Sequence, residues 1–344
     1  MASKLENYRV AFSIAPPKTP RFTLDDVPDL TGRVALVTGG NRGCGFVIAK
    51  VRQSYMFISK QSLSHWKNLA LRGARVYIAS RDMNRCQAAA DKIKGGAGAK
   101  AQIFALQLDL SDLKSVTEAA RKFMSLEDKL HIMILNAAVQ EEPATDRTQQ
   151  GYGLHLGINV LAHFLLVQLL TPTILSTAQT TPVGSVRIVT VASSAHYFAP
   201  VNGIDFASLD RRADQRTDAG KAWSSNTCYG HSKLANILVS NELARRYADN
   251  GVYCLSLHPG NILTADEDNW LARQLLWPAD PYGAINALYC ATAADVENGA
   301  YIVPWARVHP PHPHGENMEM AARLWAWLEA QTLEFNSSEA SMRT

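Results

Sequence analysis

The chain has 344 residues, 47% of them hydrophobic and 19% charged, with Lys and Arg exceeding Asp and Glu by three. That balance describes a globular chain with room for a sizeable core, and it argues against nucleic acid or an anionic membrane as the main partner. Its five cysteines are scattered without CxxC spacing, which disfavours a disulfide framework or a zinc site and points to a reducing, cytoplasmic setting. No run of about 18 apolar residues stands out, so no membrane span is expected.

In chain order, residues 1–32 form a polar lead-in with Pro16, Pro17 and Pro20, read as an arm on the surface. From Arg33 onward, short apolar runs alternate with helical stretches. The runs are VALVTGG (34–40), ARVYIAS (74–80), AQIFALQLDL (101–110), LHIMILNAA (130–138), VRIVTVASS (186–194) and VYCLSLHPG (252–260). Their β-branched content and Gly, Asp, Asn or Pro boundaries predict strands buried on both faces. Helical patterns fall at 113–127 and 229–251, and 323–335 reads as the apolar stripe of a C-terminal helix. The alternation predicts an α/β fold, a single Rossmann-type doubly wound parallel sheet with helices on both faces, over residues 33–335.

The first predicted strand runs into Thr38-Gly39-Gly40-Asn41-Arg42-Gly43-Cys44-Gly45, where glycines let the backbone approach a pyrophosphate at a helix N-terminus. The second strand ends in Ser80-Arg81 rather than the acidic residue that would bond the ribose of NAD. Arg42 and Arg81 together suit a 2′-phosphate and favour NADP(H); taken singly, each also reads as a solvated surface residue. On a helix, Tyr229 and Lys233 of YGHSK share one face, and the cation is expected to lower the pKa of the phenol. Ser193 and Ser194 close a strand and offer a hydroxyl to the same cleft. The loop 195–228 lies between these groups and carries Tyr197, Phe198, Phe206 and Trp223. It reads as a substrate cover whose aromatics either meet a bulky apolar substrate or anchor the loop. His309-Pro-Pro-His-Pro-His314 lacks the pattern of a metal site.

TGGNRGCG (38–45), LDL (108–110), NAA (136–138), Asn159 in GINVLAHFLL, the VASS strand end, YGHSK and HPGNILT (258–264) occur in order. With these motifs the chain resembles the short-chain dehydrogenases/reductases over roughly residues 30–330, most of all the retinol-dehydrogenase-like reductases and their fungal members. NAA departs from the more frequent NAG, and Cys44 stands where an aliphatic residue is usual. The resemblance implies Tyr229 as general acid/base, Ser194 as the serine holding the substrate oxygen, Lys233 on the nicotinamide ribose and Asn159 in a proton relay. It implies cofactor contacts at Gly39, Asn41, Arg42, Gly43, Gly45, Arg81, Asp109, Asn136, Tyr229, Lys233, Ile262 and Thr264. It also implies small carbonyl or alcohol substrates such as lipids, aromatic carbonyls or secondary metabolites. Homodimers or homotetramers would pair through helix 229–251.

Residues 51–67 interrupt this pattern. Gly45 and Gly73 stand 28 positions apart, and removal of the 17 residues leaves the spacing of 11 that the resemblance implies. The joined text, GFVIAK-NLALRGARV, predicts a helix burying Val47, Ile48, Leu69 and Leu71 and stopping at Gly73. Val51 is encoded by a codon beginning GT, and Lys67 is compatible with AAG. The 51 nucleotides therefore fit an unspliced intron, and an inactive, nucleotide-binding product is the alternative to an enzyme; a surface excursion between two half-helices is the rival explanation.

Overall fold

The computed structural model describes residues 19–39, 68–97, 101–210, 222–263, 276–278 and 282–340. Strands β1 (Val34–Thr38), β2 (Arg75–Ser80), β3 (Gln102–Gln107), β4 (Ile132–Leu135), β5 (Val186–Val191) and β6 (Val252–Leu257) fall inside the six apolar runs. With β9 (Tyr301–Val303) they form a parallel sheet in the order β3-β2-β1-β4-β5-β6-β9, and β10 (Arg307–Val308) adds an antiparallel edge. The order reverses between β1 and β4, so a crevice opens there at the carboxyl ends of the strands.

Alternation along each strand feeds two cores. Val34 and Leu36 of β1, Val186 and Ile188 of β5 and Val252 and Cys254 of β6 face one layer. Ala35, Val37, Val189, Val191, Leu255 and Leu257 face the other. The first layer holds α2 (Leu113–Met124), α3 (Leu154–Gln179), α4 (Ser225–Tyr247) and α6 (Met318–Ala340). Residues from α1 (Met83–Ala97) and α5 (Tyr282–Thr292) enter the second, together with Leu69 and Ala70. Helices thus lie on both faces, as expected.

Several expectations change. The end of the lead-in is more than a surface arm: Phe22, Val27 and Leu30 belong to the second core, and Phe22 meets Tyr289 edge-on at 5.5 Å. Residues 68–71 are helical and Gly73 adopts φ +91°, as a helix stop demands. Leu69 is buried, but Leu71 is 47% exposed, because two residues on a helix lie about 200° apart. Helix α3 is long and apolar enough to cross a membrane, yet 72% of that window is buried in the fold, so it is a core helix. Helix α4, the implied pairing element, has fifteen of its 23 residues buried within the one chain, with α6 packed beside it. Residues 51–67 lie outside the described residues.

β9 and β10 are too short to show a period in the sequence. The same holds for the pair β7 (Ile262–Leu263) and β8 (Trp277–Pro278).

Candidate active site

Helix α4 begins at an N-cap, Ser224, whose hydroxyl accepts from the backbone N–H of Thr227 at 3.2 Å. One turn in, Tyr229 and Lys233 face the carboxyl end of β5. Lys233 is 1% exposed, and its Nζ donates to the Val191 carbonyl at 2.7 Å while lying 5.4 Å from the Tyr229 ring centre. Ser193 Oγ, at the end of the same strand, accepts from the Ala195 N–H at 3.1 Å.

Both serines lie at the carboxyl end of β5: Ser193 has extended backbone (φ −166°, ψ 155°), and Ser194 opens a 3-10 turn, Ser194–Phe198.

The electrostatics differ from expectation. Burial pushes the Tyr229 hydroxyl up to about 12, opposed by the Ser193 side chain, and pushes Lys233 down to about 7. Desolvation therefore outweighs help from the ammonium, which sits over the ring rather than on the phenol oxygen. A phenol held neutral is a proton donor, which suits protonation of a nascent alkoxide.

Asn159 sits in a π-helical turn, Gly157–Leu161, inside α3. Its Oδ1 accepts from Val139 N–H (2.9 Å), and its Nδ2 donates to Val139 O (3.0 Å) and to Ser232 Oγ (2.9 Å). The side chain is thus a brace between the β4 end and α4. His163 holds the same region, contacting Thr38 Oγ1 at 2.8 Å and Asn159 O at 3.2 Å.

A cleft opens at the switch point, lined among others by Gly39, Arg81, Asp109, Ala137 and Ile158. Gly39 has φ +94°, and a Cβ there would come 2.5 Å from Ala137 Cα, so only glycine permits this closure. Asn136 Nδ2 donates to Thr38 O at 3.2 Å and ties β4 to β1. Asp109 Oδ1 accepts from the Ser111 N–H and hydroxyl at 2.9 and 2.6 Å, which shapes the wall. Ile262 is 8% exposed on β7. Asn41, Arg42, Gly43, Gly45 and Thr264 lie outside the described residues. The bare backbone at Gly39, with Arg81 and Asp109 beside it, fits the adenosine end of a nicotinamide dinucleotide.

With this geometry in place, comparison with known proteins is direct. The family model for short chain dehydrogenases matches residues 63–205. A short-chain dehydrogenase/reductase of Armillaria gallica is 37% identical over 328 residues, 93% of this chain and 96% of that one. Mouse retinol dehydrogenase 12 is 34% identical over 305 residues, covering 86% and 85%. Among solved structures, an uncharacterized protein of Mycobacterium paratuberculosis superposes with TM-score 0.67 at 26% identity, covering 93% of this chain and 98% of that one. The chain belongs to the short-chain dehydrogenase/reductase family and is an oxidoreductase of that family.

Proposed function

We propose that this oxidoreductase interconverts a carbonyl and an alcohol with NADP(H), Tyr229 serving as general acid/base. The carrying observation is the Tyr229–Lys233 pair at the carboxyl end of β5, with the Ser193–Ser194 strand end beside it and the crevice adjacent. Bound NADP(H) supplies or takes up the hydride. Tyr229 gives its proton to the carbonyl oxygen in reduction and takes it back in oxidation. Ser194 holds that oxygen by its hydroxyl. Lys233, low in pKa, recharges the phenol. Asn159, braced between the β4 end and α4, completes the proton relay through a water. Arg81, with Arg42, receives the 2′-phosphate, while Gly39, Asn41, Gly43, Gly45, Asp109, Asn136, Ile262 and Thr264 frame the rest of the cofactor. By the resemblance alone, the substrate is an apolar compound such as a secondary metabolite, in a cytoplasmic setting; Tyr197 and Phe206, on the loop after Ser193, pack against the protein's own core.

Tyr229→Phe tests this reading. NADPH consumption with a panel of carbonyls is expected to fall about a hundredfold or more, with NADPH affinity unchanged within a few-fold. Retention of more than about a tenth of wild-type turnover overturns the role of Tyr229.

A further inference from the structure

His196 is 1% exposed and plays no part in the scheme above, yet both of its ring nitrogens are committed. Nε2 lies 3.0 Å from the backbone N–H of His312, and a backbone N–H can only donate. Nε2 must therefore carry a lone pair, and the ring proton is on Nδ1. That nitrogen lies 2.6 Å from the carbonyl of Ser193, which can only accept. The two contacts select one neutral tautomer without conflict. The same carbonyl also accepts from the His196 backbone N–H at 3.1 Å, so two donors from one residue hold the Ser193 peptide plane.

The far end of the ring is fixed as firmly. His312 belongs to the His-Pro segment that follows β10. That segment is pinned to α4 by Asn241 Nδ2 donating to Gly315 O at 2.8 Å, and to the substrate-side loop by His314 Nε2 against Val201 O at 2.9 Å. Tyr197 and Tyr301 flank the imidazole, with ring centres 4.2 and 5.4 Å away. The histidine-rich stretch thus works as a strap, and His196 is the rod between strap and serine.

We infer that His196 is a positioning residue for the Ser193–Ser194 peptide, and so for the Ser194 hydroxyl at the substrate oxygen, by donating from Nδ1 to the Ser193 carbonyl with its Nε2 anchored on the His312 backbone. This rests on the functional reading above. Burial holds His196 down to about 3, so the neutral ring persists across the working range. A misaimed hydroxyl weakens an interaction made most strongly in the transition state, so the loss belongs in kcat rather than in cofactor binding.

Two substitutions separate this role from packing. Asparagine places an amide N–H where Nδ1 stands and abandons the strap; glutamine reaches the strap and abandons the Ser193 carbonyl. With NADPH and 4-nitrobenzaldehyde as probe, His196→Gln is expected to lose about tenfold or more in kcat, with NADPH affinity within about threefold of wild type. His196→Asn is expected to recover most of that loss. In parallel, two-bond 1H–15N spectra of histidine-labelled protein should show His196 as the Nδ1–H tautomer. An Nε2–H tautomer, a wild-type kcat in His196→Gln, or an Asn variant no better than Gln overturns the inference. Turnover lost in Tyr229→Phe but kept in His196→Gln overturns this inference alone. Absence of turnover in the wild type overturns the functional reading and this inference with it.

Discussion

Lys233 carries a charge that its surroundings disfavour. Its ammonium is buried, its bonded partner is the neutral Val191 carbonyl, and its pKa falls to about 7 from 10.5. The folded state therefore holds fewer protons than the unfolded chain between about pH 7 and 10.5, and stability rises with pH through that window. The penalty is absent above the unfolded pKa and accrues as pH falls toward 7. Relative to Lys233→Met, wild type should gain stability between about pH 7 and 10 in urea titrations; parallel curves would contradict the shift. The same burial reverses the expectation for Tyr229. The i, i+4 spacing correctly placed phenol and ammonium on one face, but spacing says nothing about how much water is excluded from them.

At the scale of elements, Arg187 clamps the sheet to α5. It lies on β5, 7% exposed, and its guanidinium donates to Gly184 O (2.7 Å), Cys290 O (2.9 Å) and Ala293 O (2.6 Å). Two of these carbonyls are at the C-terminal end of α5, where a cation also offsets the helix dipole. Arg187→Leu should cost about 2–4 kcal/mol in urea unfolding, because buried acceptors lose their donors. Arg187→Lys should restore little, since one ammonium cannot reproduce the fork. The helix ending at Gly73 motivates a second test. Residues 68–71 already turn as the end of a helix with Leu69 buried, which is what the chain without residues 51–67 requires. We propose that 51–67 is foreign to the fold and derives from a retained intron. Its deletion should raise both the melting temperature and NADPH affinity, and transcripts lacking those codons should exist; a deletion variant that fails to fold, with no shorter transcript, contradicts this.

Among the described residues, six histidines are buried with lowered pKa values. His131, His163, His231 and His258 are pushed to about 4 and His196 to about 3, and His155 is lowered too, burial being the leading cause in each. Unfolded histidines titrate near 6.5, so this stability is present above that value and is lost as pH falls toward 4. At about pH 5, unfolding should take up roughly five protons from these groups. Urea midpoints measured from about pH 7.5 to 5 should fall steeply, and a flat profile would show that these rings are hydrated.

The sequence by itself determined the strand–helix alternation, the doubly wound sheet, the glycine needed at position 39 and the tyrosine–lysine face of α4. Each is written in local periodicity or in a residue type that a backbone geometry demands. The tertiary fold set which way the Tyr229 pKa moves and that the His-Pro segment holds His196. Those outcomes depend on groups far apart in the chain, 116 positions for His196 and His312, and on the exclusion of water by both layers at once, and neither has a period that a single chain displays.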